Sequence, residues 1–86
     1  MFAMPEKTAP LSRLPVGATG VVKGCSLTGA MRRRLRDIGL IEGTRVQCLQ
    51  CAPSGDPAAY LIRGAVIALR LKDAGGVTVS MIDTGG

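Results

Sequence analysis

A dense group of arginines is the first feature of this sequence that could carry chemistry. The stretch GAMRRRLRDIGLIEG, residues 29–43, contains Arg32, Arg33, Arg34 and Arg36. Guanidinium groups bind carboxylates and phosphates in bidentate geometry, so the group indicates docking on an acidic protein surface or contact with nucleic acid. A solvated helix face would use the same residues without any partner. Docking and solvation both stay open.

Sequence-specific recognition of nucleic acid is a less favoured role for these arginines than docking or solvation. A helix that reads base edges needs a helix-turn-helix or similar frame, and only one suitable helix is predicted. A barrel that binds single strands needs aromatic stacking platforms, whereas this chain has only Phe2 and Tyr60. A basic nucleic-acid-binding small barrel is therefore the alternative hypothesis, and we expect no specific nucleic-acid partner.

Two cysteines have the spacing found in one half of a zinc-binding motif. Cys48 and Cys51 form one CxxC pair, but a tetrahedral site needs two such pairs or added histidines. Residues i and i+3 of a strand point to opposite faces, so the favoured interpretation is that Cys48 packs inward while Cys51 lies near a loop. Zinc bound there would be held weakly, with further ligands from outside one chain. No cofactor is expected to be required.

The residue types of common catalytic sites are missing. The chain has no histidine, which removes a Ser-His triad and the commonest metal ligand. Its acidic residues are scattered, with no pair spaced for general acid–base chemistry. No GxxxxGK[ST] phosphate-binding loop is present. We therefore expect that the protein is not an enzyme.

One short helix must position the arginines. Met31, Leu35 and Ile38 fall at i, i+4 and i+7 and form an apolar stripe, which predicts a helix over about residues 29–38. Gly39 is placed to end it in a left-handed conformation. The opposite arc of the helix then carries three arginines: Arg32, Arg33 and Arg36.

About five short strands are predicted around this helix. GVVKGCS, TRVQCLQC and VTVSMI are β-prone runs, and YLIRGAVIALRL divides into two strands with Arg63-Gly64 as a tight turn. KDAGG predicts only a turn. The fold class is mainly β, a small and partly open barrel of about five strands with one short helix.

The length and composition limit the rest of the chain. Its 86 residues make one domain, and a net charge of +5 suits an acidic protein, nucleic acid or an anionic membrane surface equally well. Residues 1–9 are predicted to be a flexible tail before a domain at 10–83, with a flexible C-terminus at 84–86. No run approaches the roughly 20 apolar residues of a membrane span, so we expect a cytoplasmic protein without direct membrane insertion. Its cysteines, Cys25 included, are expected to be reduced.

Several segments, taken in order, resemble the FeoA family, the small ferrous-iron transport protein A of bacteria. They are LSRLPVGATGVV, RRRLRDIGLIEGTRV and APSGDPAAYLIRGAVIALR, and the resemblance runs from about residue 11 to 82. It is strongest at Arg34-Leu35 followed by Gly39 and Gly43, and at Gly64 followed by Ile67-Ala68-Leu69-Arg70. The motif residues that serve the fold are Leu35, Gly39, Gly43, Gly64 and Leu69.

The resemblance implies both a fold and a role. The fold is an SH3-like barrel, similar also to the C-terminal domain of diphtheria-toxin-repressor-type regulators. The role is that of a cytosolic accessory to a ferrous-iron permease, acting by contact with the permease's GTP-binding domain and regulating GTP hydrolysis or gating. Arg70, an exposed motif position, joins the arginine arc as a candidate partner contact. Unpaired strand edges also make a homodimer an expected assembly.

Overall fold

The structure, a computed structural model, describes residues 7–81 and alternates short strands with short helices. A single 3-10 turn, Leu11–Arg13, follows the first strand. The strands are β1 Thr8–Pro10, β2 Thr19–Cys25, β3 Arg45–Cys51, β4 Ala58–Ile62, β5 Ala65–Leu69 and β6 Val77–Met81, and the helices are α1 Gly29–Asp37 and α2 Leu71–Ala74.

The six strands form one antiparallel sheet in the order β1-β6-β2-β3-β4-β5. Within residues 7–81, β1 and β5 are each paired on one side only, so the barrel stays open. The prediction of a mainly β, partly open barrel is confirmed, with six strands rather than about five. The additional strand is β1, whose three residues include Pro10 and are too short to show a periodic pattern.

The inner face of the sheet is apolar. Among the described residues no charged side chain is buried, and the polar groups of the buried side chains are the hydroxyl of Tyr60 and the thiol of Cys48. The largest buried side chain is Tyr60, whose hydroxyl donates a hydrogen bond to the carbonyl oxygen of Leu11 at 3.4 Å. Burial raises the pKa of Tyr60 to about 12, so the hydroxyl remains a protonated donor near neutral pH. The other buried side chains include Leu14, Val22, Leu35, Leu40, Val46, Cys48, Ile62, Leu69, Val77 and Val79.

The β4–β5 hairpin has the tight turn that the sequence predicts. Arg63 and Gly64 have φ values of 51° and 85°. Positive φ at both central residues is the requirement of a type I′ turn, whose twist matches that of the paired strands. Arg63 is the one described residue other than glycine with positive φ.

Helix α1 packs through the predicted stripe. Leu35 is 1% exposed, while Met31 and Ile38 are half-buried and pack against the core. The helix ends at Asp37, with Ile38 as its C-cap. Gly39 follows with a φ of 100°, a conformation that favours glycine, and a Cβ there would also force the exposed Arg63 side chain to move.

The predicted turn over KDAGG is wrong in part, because Leu71–Ala74 form one helical turn. The Leu71 N–H donates a hydrogen bond at 3.0 Å to the Asp56 carboxylate, which lies 15 positions earlier in the chain. A helix stabilised by so distant a partner leaves no local signal in the sequence.

The two termini lie partly outside the described residues. Thr8 and Ala9, predicted as tail, pair with Ser80 and Val79 at the edge of the sheet. Residues 1–6 and 82–86, the predicted C-terminal segment 84–86 included, lie outside the description. Among residues 7–81, no helix has the length and apolar character needed to cross a bilayer.

Candidate functional site

Helix α1 presents its arginines to solvent. The side chains of Arg32, Arg33, Arg34 and Arg36 are all exposed, while Leu35 between them is buried. Nine residues form the helix, so tertiary packing of Leu35 must hold it in place. Because Leu35 packs against the core, the arginine-bearing side of the helix faces solvent.

Three of the arginines, Arg32, Arg33 and Arg36, line one open cleft. This cleft of about 630 Å³ also includes Asp37 and Ile41. Within residues 7–81, no ion pair or side-chain hydrogen bond occupies these three guanidinium groups. The structure therefore brings the predicted arginine arc together as one basic surface.

Ile41 is a functional candidate that the sequence analysis missed. Its side chain is 43% exposed, and it lies where three clefts meet. The second cleft, of about 380 Å³, is lined by Arg32 and Arg36 together with apolar side chains that include Leu35. The signal available in the sequence was an apolar residue in the GLIEG turn, between two glycines.

The third cleft extends the basic surface toward the β4–β5 hairpin. It has a volume of about 640 Å³ and is lined by Ile41, Arg45 and Arg63 among others. Both arginines are exposed. We call the combined surface of Arg32, Arg33, Arg36, Ile41, Arg45 and Arg63 the basic face.

Arg70 is exposed, as predicted, but it lies apart from the arginine arc. It directly follows β5 and is the N-cap of α2. There it lines a smaller cleft of about 260 Å³ together with Arg34 and Asp73. The structure therefore divides the four candidate contacts into the basic face and a separate Arg70 cleft.

The two cysteines of the CxxC pair lie closer together than strand alternation predicts. Strand β3 has a bulge between Cys48 and Gln50, so Cys48 lies opposite Tyr60 and Cys51 lies opposite Ala58. Cys48 is buried and Cys51 is exposed, which agrees with the favoured interpretation. The argument for opposite faces was wrong, since the extra residue returns Cys51 to the face of Cys48.

These thiols affect each other. Burial raises the pKa of Cys48, and the charge of Cys51 and a hydrogen bond with the Cys51 side chain raise it further. In the described part of the chain, no group of three or more His, Cys, Asp or Glu side chains could hold a metal ion. The pair therefore offers two thiol ligands of the four that a tetrahedral zinc ion takes.

Comparisons with known proteins identify the family. The FeoA domain family matches residues 9–81. A curated relative, the Fe(2+) transport protein A/Fe(2+) transporter FeoB fusion protein of Porphyromonas gingivalis, is 32% identical over 74 residues. That alignment covers 86% of this chain and 9% of the fusion protein, so the chain corresponds to a small part of that longer protein.

Solved structures agree with this match. FeoA from Chlorobium tepidum superposes with a TM-score of 0.80 at 36% identity, over 85% of this chain and 70% of that chain. The zinc complex of Stenotrophomonas maltophilia FeoA, a procaryotic SH3 domain protein, has a TM-score of 0.73 at 31% identity, over 81% of this chain and 87% of that one.

The expected likeness to metal-dependent repressors is also present, at the level of the fold alone. A manganese-dependent transcriptional repressor has a TM-score of 0.80 at 21% identity, over 92% of this chain and 44% of that chain. Because the family match extends over nearly the whole described structure, with an open SH3-like sheet and one main helix, this chain belongs to the FeoA domain family.

Proposed function

We propose that this chain is a non-enzymatic, cytoplasmic accessory of ferrous-iron uptake that contacts the GTP-binding cytosolic domain of a ferrous-iron permease. The observation that carries the proposal is the Porphyromonas gingivalis relative, in which an FeoA segment and an FeoB transporter share one polypeptide. Fusion holds two modules at high effective concentration, which is useful when they must bind each other.

The basic face is the surface we assign to this contact. Arg32, Arg33 and Arg36 offer planar guanidinium forks that pair with carboxylates in bidentate fashion. Ile41 supplies an exposed apolar side chain beside them. An apolar anchor surrounded by charged groups is the usual arrangement of a protein interface, so the complementary surface is acidic around an apolar pocket that takes Ile41.

Arg70 is a second candidate contact. Its cleft has two arginines, Arg34 and Arg70, against the carboxylate of Asp73. The clefts of the basic face have five arginines against two carboxylates, those of Asp37 and Glu42. We therefore expect Arg70 to contribute less to the attraction of an acidic partner than the basic face does. Contact at both surfaces would let the chain bridge two elements of the permease and so regulate its GTP hydrolysis or its gating.

The direct test is binding of the purified chain to the isolated cytosolic domain of the cognate permease, with GTP, with GDP and without nucleotide. We expect a saturable complex that weakens as the salt concentration rises, because charge attraction is screened over about 8 Å at physiological ionic strength. No complex in any of the three nucleotide states would contradict the proposal.

We expect no GTP or ATP hydrolysis by the purified chain alone. It has no phosphate-binding GxxxxGK[ST] loop and no acidic pair spaced to hold magnesium. The measurement is phosphate release at high protein concentration. Turnover that persists through purification and disappears with a single substitution in this chain would show that the protein is an enzyme.

We expect any DNA binding to be non-specific. The arginines of α1 can contact phosphates. However, a helix with no second helix to brace it, and a single described aromatic residue, the buried Tyr60, provide no means of reading bases. Dissociation constants should lie at about 10⁻⁴ to 10⁻⁶ M in physiological salt and rise steeply with salt. A preferred sequence bound more than about a hundredfold above random DNA would favour the nucleic-acid hypothesis instead.

No cofactor is required for this role, and zinc binding should be weak. Cys48 and Cys51 supply two thiol ligands, one of them in the core. Further ligands would have to come from a second copy of the chain, which also connects zinc to the proposed homodimer.

A further inference from the structure

The bulge in β3 gives the CxxC pair a geometry that regular strand pairing would forbid. In a regular strand, residues three positions apart are separated by about 10 Å and point to opposite faces. Here the register moves from Cys48 opposite Tyr60 to Cys51 opposite Ala58, with Leu49 as the extra residue. Tyr60 and Ala58 are two positions apart and both buried, so the two cysteines now occupy neighbouring positions on one face.

Neighbouring positions on one face of a strand are about 6.6 Å apart. A disulfide spans Cα separations of about 4.4–6.8 Å. The regular spacing of the two facing residues on β4 lies at the upper end of that range, so the bulged register allows a bond between the two cysteines. Cys51 is the last residue of β3, where the chain enters the loop of residues 52–57.

The exposure of the two thiols is unequal. Cys51 is exposed, whereas Cys48 is only 1% exposed and lies in the core against Tyr60. A reagent in water therefore reaches Cys51 first, and Cys48 is protected until Cys51 has reacted. This is the arrangement of an attacking thiol beside a resolving thiol.

We propose that Cys48 and Cys51 are a modification site, at which a hydroperoxide converts the two thiols into a reversible intrachain disulfide. The inference goes beyond the proposed contact with a permease and does not depend on it. It requires no metal and no partner chain.

The chemistry balances in two steps. The Cys51 thiolate attacks the outer oxygen of the hydroperoxide, the O–O bond breaks, and a sulfenic acid and an alcohol (water, for hydrogen peroxide) result. The Cys48 sulfur then attacks the sulfenic sulfur, the S–O bond breaks, and the thiol proton leaves with the hydroxyl group as water. Two thiols are oxidised by two electrons to one disulfide, and the hydroperoxide is reduced.

The disulfide should be easy to reduce. The bond would include the exposed Cys51, and exposed disulfides have more oxidising potentials than structural ones. A dithiol reductant of the thioredoxin class would regenerate the two thiols by exchange, itself becoming the disulfide. Disulfides of the cytosol are usually of this transient kind.

The test is peroxide treatment of the purified full chain, followed by alkylation under denaturing conditions and mass spectrometry of the intact and digested protein. We expect hydrogen peroxide to reduce the alkylated thiols from three to one, with the bond mapped to Cys48 and Cys51 within one chain. Cys25→Ser is the matched control, because Cys25 is half-buried in β2 and has no part in the pair. It should form the same disulfide at the same rate.

Cys51→Ser changes an exposed side chain and should leave the fold intact. We expect Cys51→Ser, made in the Cys25→Ser background, to lose its one alkylatable thiol at least about tenfold more slowly than Cys25→Ser alone loses its two, because the remaining Cys48 is buried. Circular dichroism of each variant confirms the fold.

Three results would overturn the proposal. One is accumulation of sulfinic or sulfonic acid at Cys51 with no bond to Cys48. Another is a disulfide that forms only between chains. The last is one zinc ion per chain, retained through chelator treatment and blocking oxidation, which would make the pair a metal site.

Discussion

Replacing Leu35 by alanine is expected to lower the free energy of unfolding by about 2–5 kcal/mol, most of the stability of so small a domain. Leu35 is 1% exposed and is the one fully buried side chain of α1. Its removal leaves a cavity between the helix and the sheet and releases the only deep contact that holds the nine-residue helix. The basic face should lose its order with the helix.

Chemical denaturation followed by circular dichroism measures this change. Arg33→Ala is the control, since it removes an exposed side chain from the same helix and should change the free energy of unfolding by no more than about 0.5 kcal/mol. A loss below about 1 kcal/mol in Leu35→Ala would mean that the helix does not pack through this stripe.

Much of the fold could be predicted because its signals are local. The i, i+4, i+7 stripe of α1 and the Arg63-Gly64 turn each depend on residues within one element. Alternation along β4 is equally regular, with buried residues at Ala58, Tyr60 and Ile62. In such places, residue type and spacing are enough to predict the structure.

The features that escaped prediction depend on residues far apart in the chain. The bulge that brings Cys48 and Cys51 to one face is set by pairing with β4, and nothing within CLQC reports it. Helix α2 depends on a hydrogen bond to Asp56. Neither a strand pairing nor a hydrogen bond between distant residues produces a periodic pattern in the sequence.

The candidate site was predicted only in its charge. The exposed arginines of α1 were found, since a helical wheel places them opposite the stripe. The continuation of this surface through Ile41 to Arg63 was not found, because the turn after Gly39 and the hairpin are 20 or more residues apart and meet only in the folded chain. The division between the basic face and the Arg70 cleft could not be deduced for the same reason.

Reversing two charges of the basic face, Arg33→Glu with Arg36→Glu, is expected to slow association with the permease's cytosolic domain by about ten- to a hundredfold at low salt. Both side chains are exposed and line the same cleft, so the fold should tolerate the change while the local potential reverses. The dissociation rate should change less, because charges at the rim of an interface act mainly on encounter. Stopped-flow or surface-based kinetics at several salt concentrations measure both rates.

The matched control carries the same change in net charge elsewhere. Lys7→Glu with Arg13→Glu alters two exposed cations that line none of the clefts of the basic face. If association depended only on the total charge of +5, the two double variants would slow it equally. If the basic face is the contact, only the α1 variant slows it strongly, and Arg70→Glu has a smaller effect. Unchanged binding and unchanged iron uptake in the α1 variant would instead return its arginines to the role of a solvated helix face, since exposed cations without a partner contribute little beyond solubility.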